Sequence, residues 1–118
     1  DGILDASYMI LDGDADGWHA TVRRVSFDYA PIFEAFAARG FYEACGPVTR
    51  LVIREIQTAR PRLFAFKHWC AAHHPGEPTT DALITAFEQA NLWDYLPAVF
   101  HVNRALQEPD SSIPAPVS

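Results

Sequence analysis

Residues 7–25 read SYMILDGDADGWHATVRRV, and this stretch predicts a β-hairpin near the start of the chain. Residues 7–11 are a short apolar run bounded by turn-forming residues. Residues 12–17 form a turn cluster in which two glycines can adopt positive φ. Residues 18–25 then alternate between apolar and polar side chains, and this period of two is typical of a half-buried strand. The order is therefore strand, acidic loop, strand.

The predicted hairpin needs a partner, because an isolated two-stranded hairpin is only marginally stable in water. Its large apolar side chains must be covered by other parts of a protein; they are Tyr8, Ile10, Trp18 and Val22. Either the later helices cover the hairpin, or the hairpin is the edge of a larger sheet that lies upstream.

The rest of the chain predicts helices, since its apolar residues recur at helical spacing and are flanked by capping residues. The fold class is accordingly α+β, an N-terminal β-hairpin followed by about five helices. The expected elements are a helix between an Asp28 cap and Gly40, helices over 47–59, 63–72 and 81–90 (the last capped by Thr80), and a turn with a fifth helix over 92–106 that is interrupted at Pro97.

Composition and charge narrow the class of protein. The 118 residues suffice for one small domain, and the net charge of -6 disfavours non-specific binding to a nucleic-acid backbone. Two cysteines are too few for a disulfide framework, which favours reduced thiols and a cytoplasmic location. No apolar run approaches the ~20 residues that cross a bilayer, so no membrane partner is expected.

Two stretches, DGILDASYMILD at residues 1–12 and RRVSFD at residues 23–28, carry a resemblance to a known family. They are similar to the segment that follows the last metal motif in bacterial calcineurin-like metallophosphoesterases of the small phosphodiesterase type. In that family an NPGSVG turn leads through Asp-Gly to an Ala-Ser-Tyr strand, a tight loop, a second strand and a helix. The resemblance covers residues 1–40. It departs at Asp5, where relatives often carry Arg.

The resemblance implies a two-sheet sandwich flanked by helices, in which this hairpin forms the last strands of one sheet. It also implies a hydrolase that cleaves a phosphomonoester or phosphodiester in a phosphorylated small molecule or nucleotide. In that family, water is activated between two divalent metal ions of the manganese, iron or zinc type. The family's metal motifs, D-x-H, G-D-x-x-D, G-N-H-D/E and G-H-x-H, do not occur in this sequence.

The expected organisation is thus a phosphoesterase-like hairpin and helix at 1–40, a helical extension at 41–107 and a disordered tail at 108–118. The chain alone is expected to be inactive, to begin partway through a longer protein, and to have the upstream catalytic part as its partner. No catalytic, cofactor-binding or metal-binding residue is assigned within it. The alternative is a non-catalytic helical binding or interaction module, and a homo-oligomer is compatible with either.

Four residues have side chains that bind metals, but their spacing matches no standard zinc pattern. They are His68, Cys70, His73 and His74. A helix terminus with a buried Cys70 explains them better. Nucleophilic catalysis by Cys70 and His74 lacks a third, orienting group. The acidic loop with Asp12, Asp14 and Asp16 is not a calcium loop, because no Glu follows at the twelfth position.

Basic and aromatic residues each allow two interpretations. The basic residues form either a phosphate- or nucleic-acid-binding patch or a solvated face paired with Glu55 and the acidic neighbours; they are Arg50, Arg54, Arg60, Arg62 and Lys67. The aromatic residues form either the core or a pocket for an apolar or planar ligand; they are Phe64, Phe66, Trp69, Phe87, Trp93, Tyr95 and Phe100.

Overall fold

A computed structural model describes residues 1–106 and confirms the α+β class. The N-terminal hairpin consists of β1 (Ala6–Asp14) and β2 (Gly17–Val25), which pair antiparallel. The helices of residues 1–106 follow it: α1 (Ala30–Ala38), α2 (Phe41–Cys45), α3 (Thr49–Thr58), α4 (Arg62–His73) and α5 (Asp81–Glu88), with 3₁₀ helices at Gly46–Val48, Leu92–Tyr95 and Ala98–Phe100. The predicted tail at 108–118 lies outside the described residues.

The hairpin has longer strands and a tighter turn than the sequence predicted. Each strand has nine residues, and only Ala15 and Asp16 connect them. The backbone N–H of Asp16 donates to Asp14 Oδ1 at 2.9 Å, and Gly17 has φ 129°. An Asp side chain that bonds two residues ahead closes a turn in a short length of chain, so the expected six-residue loop is wrong in extent.

Helix ends largely follow the capping residues. The Thr80 hydroxyl accepts from the N–H of Leu83 at 3.2 Å, which confirms the predicted cap of α5. Gly40, with φ 67°, follows the end of α1, as glycine commonly does because it tolerates the left-handed region. The Asp28 carboxylate accepts from Ala30 N at 2.9 Å, although Tyr29 holds the N-cap position.

The core lies among α3, α4, α5 and the 3₁₀ turn at Leu92–Tyr95. Residues 49–106, which contain these elements, are called the helical half below. Its main cluster of buried apolar residues is Leu51, Ala65, Phe66, Trp69, Leu83, Ile84, Phe87, Leu92 and Leu96. The rings of Phe66 and Trp69 contact that of Phe87, with centroids 5.3 and 5.7 Å away. The aromatic-core prediction is confirmed for these three residues, whereas Phe64 and Phe100 are exposed.

The fifth helix predicted after Pro97 is wrong. The chain forms a single 3₁₀ turn at Ala98–Phe100 and then irregular turns. Asn103 has a left-handed φ of 55°, and its carbonyl, like that of Val102, accepts a hydrogen bond from Arg60. The Asn103 carbonyl also accepts from the backbone N–H of Leu106 at 3.0 Å, so the bonds from Arg60 do not by themselves prevent a helix. A right-handed helix cannot continue through the left-handed backbone of Asn103.

A second aromatic cluster packs α1 against α2 and begins at Tyr29, just before α1. Its rings contact one another in sequence, with centroid distances of 5.9 Å for Tyr29–Phe33, 6.3 Å for Phe33–Phe36 and 4.2 Å for Phe36–Phe41. All four residues are only partly buried, so α1 packs on α2 without entering the main core.

None of the helices within residues 1–106 has the length and apolar character needed to cross a bilayer.

Candidate functional site

The hairpin has one continuous apolar face. Residues directly opposite each other in an antiparallel pair project to the same side of the sheet. The register therefore collects Met9 with Val22, Leu11 with Ala20, and Trp18 with Gly13 on one side. These residues are called the apolar face below. A Cβ added to Gly13 would lie 3.0 Å from the Trp18 ring, so the indole lies directly against the glycine backbone.

The opposite side of the hairpin is mixed rather than polar. Here Tyr8 pairs with Arg23, Ile10 with Thr21 and Asp12 with His19. Tyr8 and Ile10 thus lie on the side away from Trp18 and Val22. Both sides of the hairpin carry large apolar side chains.

Neither side is covered. Every residue of β1 and β2 is exposed except Gly17, which is partly exposed. The exposed fraction reaches 79% for Trp18 and 63% for Val22, so the helices do not cover the hairpin, which was one of the two expectations. Both strands are also edge strands, and neither contains the Pro or Lys that often protects an exposed edge. Such a surface is typical of an interaction site.

The N-terminal segment, in contrast, is docked on the helical half. The nitrogens of Asp1 and Gly2 both donate to the carbonyl oxygen of Ala59, at 2.9 and 3.1 Å. Ala59 ends α3 with a left-handed φ of 49°. The Asp1 carboxylate accepts from the N–H of Ile3 at 3.0 Å and forms an ion pair with Arg24 of β2. One short segment therefore contacts both the helical half and the base of the hairpin.

Arg60 is the centre of this junction, and the side chain is only 2% exposed. Its two terminal nitrogens donate to the carbonyls of Val102 and Asn103, at 2.9 and 2.8 Å. The guanidinium also lies over the Trp93 ring, 4.9 Å from the centroid. Gly2 approaches it so closely that an added Cβ would overlap the guanidinium. The sequence pattern predicted Arg60 on the surface with the other basic residues. Its hydrogen-bond partners lie 42 and 43 positions further along the chain, and no residue near Arg60 in the sequence indicates them.

A shallow cleft opens beside this junction, with a volume of about 290 Å³. Its lining residues are Asp1, Glu55, Ala59, Arg60, Pro61 and Phe100. Glu55 Oε2 accepts from the N–H of Leu63 at 2.8 Å, and burial raises the pKa of this carboxyl above its ordinary range. The cleft lies at the chain junction and not between the aromatic residues of the core.

The histidines near Cys70 have partners other than one another. The ring of His68 lies 4.4 Å from that of Phe64, His73 Nε2 contacts the Tyr95 hydroxyl at 2.9 Å, and His74 Nδ1 contacts Glu77 at 3.2 Å. Burial, and secondarily the charge of Glu77, raises the pKa of the Cys70 thiol. A nucleophilic cysteine needs the opposite shift. Across residues 1–106, no three His, Cys, Asp or Glu side chains are placed to hold a metal ion.

The acidic loop and the arginines are used within the fold. Asp14 closes the hairpin turn and contacts His19 Nε2 at 3.1 Å. Arg50 connects α3 to α5, where it pairs with Glu88 and donates to Thr85 Oγ1 at 3.0 Å. Arg50 is therefore paired with an acidic residue, which is Glu88 and not Glu55. With Arg60 buried as well, these two residues do not share a phosphate-binding surface.

Comparison with known proteins finds no matching family model, no matching curated protein and no matching solved structure.

Proposed function

We propose that this chain is the C-terminal part of a cytoplasmic, calcineurin-like metallophosphoesterase that hydrolyses phosphomonoester or phosphodiester bonds. In this proposal the hairpin supplies two strands to the catalytic sheet, and the catalytic part of the protein lies upstream. The observation that carries the proposal is a hairpin whose two sides both bear large apolar side chains and are both exposed.

Two exposed apolar sides favour a sheet with a layer on each side. In a sandwich flanked by helices, one side of a strand packs on the second sheet and the other packs under a helix. The apolar face, with Met9, Leu11 and Val22, suits the first environment, while Tyr8 and Ile10 suit the second. Burying one such side chain contributes about 1.5–3 kcal/mol, so docking in this way would turn a marginal hairpin into a stable one.

The chemistry of the proposed reaction belongs to the upstream part. The family's two divalent ions supply an activated water and neutralise phosphate charge when bound. The described residues of this chain do not offer a ligand set for such ions, so no step of hydrolysis is assigned to them. The chain's proposed contribution is structural: it completes the sheet that holds the catalytic groups.

Hydrolysis of an aryl phosphodiester in the presence of manganese tests the proposal. The whole protein that contains this chain is expected to turn the substrate over, and residues 1–118 alone are not. Turnover by residues 1–118 alone, or none by the whole protein, would refute the proposal.

A matched pair of variants tests the place of the hairpin. Val22 and Val99 are both exposed, at 63% and 73%, but Val22 lies on the apolar face and Val99 in the helical half. In the whole protein, Val22→Asp should abolish turnover while Val99→Asp retains it, because only the first would bury a charge in the sandwich. Full activity of the Val22→Asp protein would exclude a buried hairpin. If the whole protein lacks turnover and Val22→Asp instead dissociates an oligomer, the alternative of a non-catalytic interaction module is correct.

A further inference from the structure

We infer that the helical half is an intramolecular clamp on residues 1–4, with Arg60 as its positioning residue. The inference rests on the proposed function in one respect: in the proposed enzyme, residues 1–4 join the catalytic part to the hairpin. It assigns a role to the helical extension, for which the resemblance offers none.

The clamp begins at the end of α3. Ala59 adopts a left-handed backbone conformation that is unfavourable for an L-residue. Such a conformation persists only where surrounding contacts determine it. Here the Ala59 carbonyl accepts from the backbone N–H of Gly2, and the buried Arg60 follows directly. The strained residue is therefore the one that receives the N-terminal segment.

Arg60 connects three parts of the chain that are distant in sequence. It binds the carbonyls of Val102 and Asn103, lies over Trp93 and contacts the backbone of Gly2. A buried guanidinium is costly to desolvate, and two carbonyls and an aromatic ring offset part of that cost. Because Gly2 has no side chain, the segment can lie flat on the guanidinium. Any larger residue at that position would hold the segment away.

The clamp also reaches the hairpin. Gly2 is bound to Ala59 through its backbone nitrogen, and the adjacent Asp1 forms an ion pair with Arg24 of β2 through its carboxylate. Residues 1–4 are separated from β1 by Asp5 alone, so fixing them fixes the direction in which the hairpin leaves the helical half. The helical half thereby orients the hairpin toward the part of the protein that precedes it, and it performs no chemistry itself.

Two glycines with the same backbone conformation allow a matched test. Gly2 and Gly76 both have φ 78°, so alanine is equally strained at each. A Cβ at Gly2 would overlap Arg60, whereas a Cβ at Gly76 meets nothing within 4 Å. Gly2→Ala should undock residues 1–4, and Gly76→Ala should not.

Hydrogen exchange followed by NMR in residues 1–118 is the measurement. With Gly2→Ala we expect about tenfold faster exchange at the amides of residues 2 and 3, since the docked segment loses its hydrogen bonds. The amide of Ile84 in the core should keep its protection, and Gly76→Ala should leave residues 2 and 3 unchanged. Unaltered exchange in Gly2→Ala, or equal acceleration in both variants, would overturn the clamp.

The same variants in the whole protein separate the clamp from the proposed function. If the clamp orients the hairpin, Gly2→Ala should lower kcat about tenfold and leave KM unchanged, because the substrate contacts lie in the upstream part. Local acceleration of exchange in a protein without phosphoesterase activity would refute the proposed function and leave the clamp standing. Phosphoesterase turnover by the whole protein, together with unaltered exchange in Gly2→Ala, would support the proposed function and refute the clamp.

Discussion

Two isoleucines in different surroundings test how stability is divided between the hairpin and the helical half. Ile84 in α5 is 0% exposed, and Ile10 in β1 is 40% exposed with exposed neighbours. Replacing Ile84 by Ala removes buried methyl groups and leaves a cavity, at a cost of about 2–5 kcal/mol. Replacing Ile10 by Ala leaves no cavity, and the lost strand propensity costs less than about 1 kcal/mol.

Urea denaturation monitored by tryptophan fluorescence is the assay. Trp69 is buried in the core and Trp93 is partly buried beside it, so both report on the helical half, whereas Trp18 is exposed in the hairpin. A small domain has a free energy of unfolding of only about 5–15 kcal/mol, so valine variants provide a gentler second pair. Ile84→Val should cost about 0.5–1.5 kcal/mol, and the corresponding change at Ile10 close to zero.

An equal loss at both positions would refute the reasoning, because it would place the hairpin in the same cooperative core as the helices. The proposed function adds a second expectation. In the whole protein Ile10 would be buried, and Ile10→Ala should then cost about as much as Ile84→Ala does. A cost that stays below about 1 kcal/mol in the whole protein would show that the hairpin is not part of a sandwich.

Four further predictions concern individual residues. Ala59→Gly should raise the free energy of unfolding by about 1 kcal/mol, because glycine adopts the left-handed conformation without strain. Thr80→Ala should lower the free energy of unfolding by about 1 kcal/mol, because it removes the N-cap of α5. Thermal melts check both values. Iodoacetamide should alkylate the exposed Cys45 faster than Cys70, since burial raises the pKa of the Cys70 thiol and leaves less of the reactive thiolate. Mass spectrometry measures the two alkylation rates, and equal rates would contradict the prediction. Burial also raises the pKa of the Glu55 carboxyl, so its contribution to stability is complete below its ordinary value of 4.5 and is lost as the pH rises through the folded-state pKa. Glu55→Gln should remove this loss from urea midpoints measured at increasing pH above 4.5, and an unchanged pH dependence would contradict it.

Local signals were sufficient for the predicted elements that proved correct. Alternation in residues 18–25 identified a strand, and Thr80 and Gly40 marked helix ends, because each acts within a few residues of itself. Assigning each side chain to one side of the hairpin also required the register of the two strands, since a shift of one residue in register moves every side chain to the other side. The register depends on the turn length, and the turn was predicted too long.

Long-range contacts were beyond the sequence pattern. The segment after Pro97 has apolar residues at helical spacing, yet it forms irregular turns with Asn103 in the left-handed region, and Arg60 of another element binds the carbonyls of Val102 and Asn103. The same contacts bury Arg60, which charge alone would place on the surface. A pattern of residues over a few helical turns indicates neither the burial of Arg60 nor the irregular course of the segment that it binds.

Two side-chain contacts at the base of the hairpin hold the start of β1 and the end of β2 together, although neither side of the hairpin is covered. Asp5, where relatives of the resembled family often carry Arg, accepts from the Ser26 hydroxyl at 2.8 Å, across the start of β1 and the end of β2. The ion pair between Asp1 and Arg24 likewise joins the segment that precedes β1 to the end of β2. The residue that departs from the family pattern is therefore engaged within this chain, next to the clamp. Side chains of the chain itself fix the base of the hairpin, while its two sides stay exposed, as the proposed insertion into a larger sheet would require.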